Sequence, residues 1–399
     1  MRVYLFVKNE EIYTLWEEKK EKGERNMILM DVRADNFYAF KDFHINFSYP
    51  KKIVGSTIEG EFLPEKTNFR YKKLVILMGA NATGKSSLGK LLMNIFNFID
   101  KKEVTKLTDV IQDSAKDASF SVDFVIAQET LYRVSGRITP PENENYKSTD
   151  IRVKVESAVI RKRDSYETCL EQLSENPETA SKSYVEKLDQ VNGMSWMFAF
   201  PMTTDNLTKA YKPINEARYV EILKNTLRAL DPRIKDVFPF PKRDNTYVVE
   251  YENQPVFIAE GKVLGAEMMS SGTIEGIGVA NIIAAIKTGA YGFMYCDEKF
   301  SHIHGESERA FLSLLVECLG DEEQLMVTTH NTDLLDMDLP KHAFVFLRRK
   351  YYGEDGYILD CVSASDYLKR STDSIRSAVE NDLFAASPDL ETIYKLVEV

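Results

Sequence analysis

Hydrophobic and polar positions alternate with a period of two along the first part of the chain, which is typical of strands with one buried face. Residues 28–34 and 42–47 alternate in this way and are predicted to be paired strands. Residues 119–127 and 131–137 alternate too, and the short polar turn between them predicts a hairpin. Residues 151–160 add another strand. This part of the sequence therefore predicts an antiparallel sheet.

Other apolar runs do not alternate, which indicates strands that are buried on both faces. They are LVILM at 74–78, YGFMYCDE at 291–298 and LMVTTH at 325–330. A helix-like run, SSLGKLLMNIFNFI, follows soon after the first of them, and MSSGT at 269–273 opens a second, IEGIGVANIIAAIKTGA. Buried strands that alternate with helices predict an α/β fold with a mainly parallel core sheet.

Between the two sets of strands the pattern changes to a helical period with many charges. We interpret residues 165–235 as a helical insertion, and sheet signals return at 246–259. The predicted organisation is an N-terminal extension over 1–26, a first lobe over 27–164, this insertion, and a second lobe over 236–399.

Composition excludes some classes of protein. The net charge of −11 argues against a globally basic nucleic-acid binder, although a local basic groove stays open. The sequence shows neither an apolar stretch of membrane-spanning length nor a secretory signal, so we expect no membrane association. The cysteines are far apart and indicate reduced thiols in a cytoplasmic protein. They are Cys169, Cys296, Cys318 and Cys361.

The segment GANATGKS lies between the LVILM run and the first helix-like run, which is the context of a phosphate-binding loop. Its glycines allow a tight turn, and the following helix directs its positive end at phosphates. Lys85 can reach the β- and γ-phosphates, and Ser86 can place its hydroxyl on Mg²⁺. A chance strand-turn-helix loop is disfavoured by the full match with both flanks. The predicted site for a nucleoside triphosphate and Mg²⁺ contains Gly79, Ala80, Asn81, Ala82, Thr83, Gly84, Lys85, Ser86 and Ser87.

Two carboxylates and a histidine follow the later buried runs. Asp297 can hold the Mg²⁺ shell through water, and Glu298 can polarise an attacking water. His330 can donate a hydrogen bond to the γ-phosphate. Each feature has a plainer interpretation, since acidic residues often end strands and a histidine can cap the next helix. Their shared position at strand ends favours a common site.

The segment MSSGT offers a second helix N-terminus. Ser270 or Ser271 suits the N-cap position, and Gly272 leaves the backbone open to an anion. An ordinary capped core helix is the alternative, and this segment alone does not decide between them.

Two groups of residues outside these segments have competing interpretations. His302 and His304 could bind a metal, but no third ligand is evident nearby. Phe37, Tyr38 and Phe40 could stack on adenine, but we favour a place in the core of the first hairpin.

As a set, the segments resemble the ATP-binding-cassette type ATPases of the RecF, Rad50 and SMC branch. The resemblance is greater still to the stand-alone prokaryotic AAA family ATP-binding proteins often found in anti-phage and abortive-infection systems. It covers roughly residues 27–350. The matching pieces are NFYAF (36–40), GANATGKS (79–86), SSGT (270–273), DEKFSHIH (297–304) and TTH (328–330).

The resemblance implies an ABC-ATPase-like head of the P-loop NTPase class and a role for each matching residue. Applied residue by residue, the resemblance implies that Lys85 and Ser86 belong to the Walker A motif and Asp297 to the Walker B motif. It also implies that Glu298 is the catalytic base, that Ser271 and Gly272 belong to the signature motif, and that His330 is the switch histidine. The chain departs from the family pattern at Lys299, where an apolar residue is common, and at Gly305, where proline is more usual.

The resemblance also implies partners. Two heads would form a homodimer or a higher homo-oligomer, with the signature helix of one completing the phosphate site of the other. Our leading hypothesis is an ATPase that gates a separate effector protein in anti-phage defence. The alternative is a DNA-repair or chromosome-handling ATPase, for which nucleic acid would be a partner. The basic run at 161–163 is more typical of a solvated boundary than of such an interface.

Overall fold

The computed structural model describes residues 27–53, 55–143, 145–201, 215–252, 254–259, 262–351, 357–370, 372–386 and 394. The extension predicted over 1–26 lies outside the described residues, as do residues 202–214 of the predicted insertion. In the described part of the chain, no helix is both long and apolar enough to cross a membrane.

The described chain contains strands of three main sheets and a short hairpin. The strands are β1 (Met27–Asp35), β2 (Phe43–Asn46), β3 (Phe62–Leu63), β4 (Lys66–Arg70), β5 (Leu74–Met78), β6 (Ala118–Ile126), β7 (Thr130–Ile138), β8 (Ile151–Val159), β9 (Ser174–Glu175), β10 (Trp196–Ala199), β11 (Asp236–Pro239), β12 (Thr246–Glu250), β13 (Pro255–Ala259), β14 (Lys262–Leu264), β15 (Phe293–Asp297), β16 (Gln324–Thr329), β17 (Phe344–Tyr351) and β18 (Tyr357–Ser363).

Helices connect and cover these sheets. They are α1 (Lys85–Lys101), α2 (Thr105–Thr108), α3 (Tyr166–Leu170), α4 (Tyr184–Leu188), α5 (Glu216–Leu230), α6 (Ser271–Lys287), α7 (Gly305–Cys318), α8 (Ala364–Tyr367) and α9 (Ile375–Glu380). Short 3-10 turns occur at Ser148–Asp150, Ala266–Met268, Thr332–Asp336 and Lys341–Ala343.

The core sheet has the strand order β10-β15-β16-β5-β17-β18. Its first five strands are parallel, and β18 returns antiparallel at the edge. Successive residues of β5 divide between two cores, with Val75 and Leu77 packing on the side of α1 and Leu74 and Ile76 on the side of α6 and α7. Burial on both faces explains the unbroken apolar runs. The predicted α/β fold with a mainly parallel sheet is confirmed.

A second sheet of antiparallel strands has the order β2-β1-β6-β7-β8-β9. The predicted strands and the hairpin of the first part of the chain are therefore confirmed. Its inner face shares one core with α1, and Phe37 and Phe40 are fully buried there, as predicted. Where β1 bulges near Leu29, the buried Gln324 side chain of β16 accepts a hydrogen bond from the Leu29 amide at 2.8 Å. This bond joins the antiparallel sheet to the core sheet.

The region predicted as a helical insertion is not helical throughout. It contains α3, α4 and α5, but β10 also lies within it and pairs in parallel with β15, with Phe198 opposite Tyr295. The helical interpretation of 165–235 is wrong for this strand and for the two-residue β9, because runs of four residues or fewer are too short to show a strand period of their own. The helix α5 packs with α6 on a third, antiparallel sheet of β11 to β14. The domain boundaries at 164 and 235 stay a prediction.

Candidate functional site

The GANATGKS segment forms the connection between β5 and α1, at the carboxyl end of a central parallel strand. Gly84 has a φ of 99°, in the left-handed region that favours glycine. A Cβ at Gly79 would collide with the carbonyl oxygen of Leu347 and lie 2.8 Å from Thr83 Oγ1. The Thr83 hydroxyl closes the turn by donating to the Ala80 carbonyl at 2.8 Å. The loop therefore keeps a tight shape that requires glycine at both positions.

Lys85 is the first residue of α1, and its side chain is folded back over the loop. The side chain is 4% exposed, and its ammonium group donates to the carbonyl oxygens of Gly79 at 2.8 Å and Ala80 at 3.4 Å. Its Nζ atom also lies 3.4 Å from Glu298 Oε1. Since no side chain caps α1, the N–H groups of its first turn stay available to an anion.

Asp297 ends β15 and is almost fully buried beside the start of α1. Its carboxylate accepts a hydrogen bond from Thr328 Oγ1 at 2.7 Å and another from the Ser86 side chain. Burial raises the pKa of Asp297 above its usual range, although both hydrogen bonds oppose this shift. A carboxylate and a hydroxyl placed together are hard oxygen ligands of the kind that Mg²⁺ prefers. This donor set fits the predicted metal.

Glu298 follows directly and has a φ of 44°, which is uncommon for a residue other than glycine. Thr328 holds this backbone, because its Oγ1 accepts a hydrogen bond from the Glu298 amide at 3.0 Å. The Glu298 carboxylate is half-exposed and lies between Lys85 and His330, with 3.9 Å between its Oε1 and His330 Nδ1. A non-glycine residue held in this region stores about 1–3 kcal/mol of strain, which is a feature of functional sites.

His330 follows β16, and its side chain is 53% exposed. It does not cap the next turn, because Asn331 Oδ1 accepts from the Asp333 amide instead at 2.9 Å. The same asparagine donates to the buried Glu308 of α7 at 2.6 Å, which fixes the backbone just beyond the histidine. The helix predicted after His330 is a 3-10 turn. The imidazole therefore faces the site without a capping role.

The predicted signature residues open α6. Ser270 is the N-cap, and its Oγ accepts from the Thr273 amide at 3.1 Å, so Ser271 and Gly272 are the first helical residues after it. Gly272 lies against the carbonyl of His302 in the loop after β15. Among the contacts of the described residues, neither Ser271 nor Gly272 joins the cluster around Lys85. Their role at a nucleotide stays a prediction.

The structure thus brings five predicted residues into one cluster at the carboxyl ends of adjacent parallel strands. They are Lys85, Ser86, Asp297, Glu298 and His330. Ala82, at the exposed tip of the loop, accepts a hydrogen bond from the Arg349 guanidinium. His304 caps α7 by accepting from the Glu306 amide at 3.3 Å, and the described residues hold no group of three or more possible metal ligands.

Sequence reasoning missed two residues that shape the site. Thr328 bridges Asp297 and the Glu298 amide, and it lies in the TTH segment already noted for its histidine. Tyr295 is fully buried and donates its hydroxyl to the Lys85 carbonyl at 2.6 Å, which fixes β15 against the first turn of α1. A polar tyrosine inside an otherwise apolar run was the available signal.

No family model and no curated protein matches this chain. Solved structures similar to it include an SMC head bound to the C-winged helix domain of ScpA, with 13% identity, a TM-score of 0.49, and 86% of this chain and 99% of that chain covered. The SMC head domain from Thermotoga maritima has 13% identity and a TM-score of 0.41, covering 84% of this chain and 98% of that one. The recombination mediator protein RecF has 11% identity and a TM-score of 0.40, covering 86% and 100%. These proteins belong to groups that the motifs resemble, but so remote a similarity assigns no activity.

Proposed function

We propose that this chain binds ATP at the loop of Gly79 to Ser86 and hydrolyses it. The observation that carries the proposal is the convergence of Lys85, Asp297 and Glu298, which are far apart in sequence, at one end of the core sheet. The backbone N–H groups of the loop and of the first turn of α1 would bind the phosphates. Lys85 would exchange its carbonyl partners for the β- and γ-phosphates.

The metal would be held by Ser86 and Asp297, the oxygen pair described above. Mg²⁺ would supply charge neutralisation at the phosphates. Because burial raises the pKa of Asp297, the hydrogen bonds from Ser86 and Thr328 are needed to keep its carboxylate available as a ligand.

Glu298 is placed to act as the general base. Its carboxylate is partly exposed and lies between Lys85 on one side and His330 on the other. It would accept a proton from a water molecule that attacks the γ-phosphorus. His330, within reach of the same region, would donate a hydrogen bond to the γ-phosphate and stabilise the charge that develops there.

Phosphate release in the presence of ATP and Mg²⁺ tests this proposal. The wild type should hydrolyse ATP and release phosphate. Glu298→Gln should bind ATP but release phosphate at least about a hundredfold more slowly, and Lys85→Ala should not bind ATP. Glu317→Gln, at an exposed position of α7, is the matched control and should resemble the wild type. A Glu298→Gln protein with full activity would contradict the assignment of the base.

We also propose that ATP joins two heads. The exposed start of α6 at Ser271 and Gly272 is an N-terminus that a second subunit could present to the γ-phosphate, and it would stabilise the dimer only while that phosphate is present. In a Glu298→Gln background the measured mass should double on addition of ATP. A protein that stays monomeric at saturating ATP would contradict this part of the proposal.

The biological role that we propose is a gate for a separate effector in anti-phage defence. It is supported by the resemblance of the motifs and by the lack, among the residues the structure describes, of a group of metal ligands such as a metal-dependent nuclease would need. Co-purification with a neighbouring gene product, strengthened or lost on ATP addition, would support it. A chain that blocks phage without any partner would contradict it.

A second candidate function, DNA handling, is favoured by a groove on the outer face of the antiparallel sheet that is lined by hydroxyls and cations. The cross-strand register places serine hydroxyls in the middle of this face, with cations on both sides. Two carboxylates, Asp35 and Asp42, line one end of the groove, which has a volume of about 510 Å³. The serines are Ser119, Ser121 and Ser135, and the cations are Arg33, Arg137, Arg152 and Lys154. Three of these cations also pair with carboxylates, Arg33 with Asp31, Arg137 with Asp117 and Lys154 with Glu156.

Hydroxyls between cations suit a phosphate backbone. If DNA binds here, the logarithm of affinity should fall linearly with the logarithm of salt concentration. Arg152→Ala should make that slope less steep by the amount that corresponds to about one phosphate contact. Lys262→Ala, at an exposed position of the third sheet, is the control. Equal slopes for the wild type and Arg152→Ala would rule out this groove.

A further inference from the structure

A buried ion pair joins the end of β15 to the second turn of α6. Lys299 follows Glu298 directly, and its ammonium donates to Glu275 Oε2 at 3.0 Å. The side chains are 2% and 6% exposed, so both charges lie in the protein interior. A lysine whose charge is buried needs a partner, because its desolvation is costly. The pair is therefore a fixed link and not a surface contact.

The glycines of α6 let the loop after Glu298 pack closely against this helix. An ideal Cβ at Gly278 would lie 3.1 Å from Lys299 Nζ and 3.2 Å from Cε, so the lysine runs along α6 at a position that has no side chain. Six residues closer to the helix start, Gly272 lies against the carbonyl of His302. The loop after Glu298 thus touches α6 at two successive levels.

We propose that Lys299 and Glu275 are a positioning pair that couples the start of α6 to Glu298. The inference rests on the proposed function and specifies its regulation. When a phosphate bound to a second subunit attracts and displaces the first turn of α6, the displacement is transmitted through Glu275 to Lys299. The backbone of Lys299 adjoins Glu298, the general base. Glu298 then takes its productive direction when the heads engage. ATP binding to the loop itself needs neither residue.

The main test replaces the pair with apolar residues of similar size, as Lys299→Met with Glu275→Leu. Double replacement avoids the buried unpaired charge that a single change would leave, so the fold should be kept. We expect wild-type affinity for ATP and a kcat lowered at least about tenfold, which corresponds to losing one positioned contact in the transition state. The rise of specific activity with protein concentration should also flatten, which a merely structural role would not cause.

The matched control is a buried pair on other elements, His342 and Glu61, joined at 2.6 Å and similarly buried. His342→Gln with Glu61→Gln should keep kcat within about twofold of the wild type. An equal fall in kcat in the control, or a fall in ATP affinity that matches the fall in kcat, would overturn the proposal. So would a double variant that turns over like the wild type.

A gentler variant keeps the proposal falsifiable if the double variant does not fold. Gly278→Ala favours the helix by about 1 kcal/mol in intrinsic propensity, and its methyl group would press on the end of the lysine side chain. We expect an unchanged or higher melting temperature, unchanged ATP affinity and a several-fold lower kcat. An unchanged kcat would overturn the coupling. Absence of phosphate release in the wild type would instead refute the proposed function.

Discussion

Thr328 offers a direct test of how the core sheet sets the chemistry of its carboxylates. Its hydroxyl is fully buried, donates to Asp297 at 2.7 Å and accepts from the Glu298 amide at 3.0 Å. Thr328→Val keeps the shape of the side chain and removes both bonds. The Glu298 amide keeps its contact with the Thr328 backbone carbonyl at 3.2 Å, so the main loss falls on the Asp297 carboxylate.

The expected magnitude follows from the charge of the acceptor. A hydrogen bond to a buried ionised group contributes about 1.5–3 kcal/mol to stability. Burial already raises the pKa of Asp297, and removing the Thr328 hydroxyl raises it further. Thr328→Val therefore causes its full loss of stability at pH values above the pKa of Asp297 in both the wild type and the variant, where the carboxylate is ionised in both proteins. This loss shrinks as the pH falls through these pKa values, because protonation removes the charge that the hydroxyl had stabilised.

Urea unfolding at about pH 8 and about pH 5 measures this difference. Thr246→Val is the control, because Thr246 is also buried but its hydroxyl donates to the neutral Asp244 carbonyl at 3.2 Å. The control should lose about 0.5–1.5 kcal/mol at both pH values. If Thr328→Val lowers the free energy of unfolding by the same amount at both pH values, the hydroxyl does not stabilise an ionised carboxylate.

Three other variants test separate parts of the structure. Gln324→Leu should destabilise the protein by about 1–3 kcal/mol in urea unfolding, because the buried Leu29 amide loses its acceptor; equal stability would show that the bulge finds another partner. Gly79→Ala should lower affinity for a fluorescent ATP analogue at least about tenfold, because the added methyl group collides with the Leu347 carbonyl, and undiminished binding would argue against the tight loop. His330→Ala should lower kcat by about 10²–10³ with little change in KM, as expected for a donor that acts on the γ-phosphate in the transition state; a change confined to KM would contradict that role.

The sequence predicted that several residues in short segments would lie together at one end of the core sheet. GANATGKS carries its own context, and the residues Asp297, Glu298 and His330 each follow an apolar run, so strand order alone brought them to one edge. The carboxyl ends of parallel strands lie at the same edge of a sheet. The position of each residue at the end of its apolar run was therefore sufficient to predict that these residues lie together.

Features that depend on long-range register could not be predicted in this way. The bond from Gln324 to Leu29 joins residues 295 positions apart, and nothing local in either strand indicates it. The strand β10 is only four residues long, and parallel pairing with β15 decides its structure rather than its own period. Of the pair formed by Glu275 and Lys299, only Glu275 left a signal, since it is a lone charge in an apolar run, whereas Lys299 directly follows two carboxylates in the sequence.

We propose above that Lys85, Asp297 and Glu298 form one site that binds and hydrolyses ATP. Titration of ATP and Mg²⁺ into the wild type, Glu298→Gln and Lys85→Ala, followed by phosphate release from the same samples, tests it most directly. We expect binding by the first two proteins, phosphate release by the wild type alone, and neither binding nor release for Lys85→Ala. Binding of ATP by Lys85→Ala with wild-type affinity would contradict it.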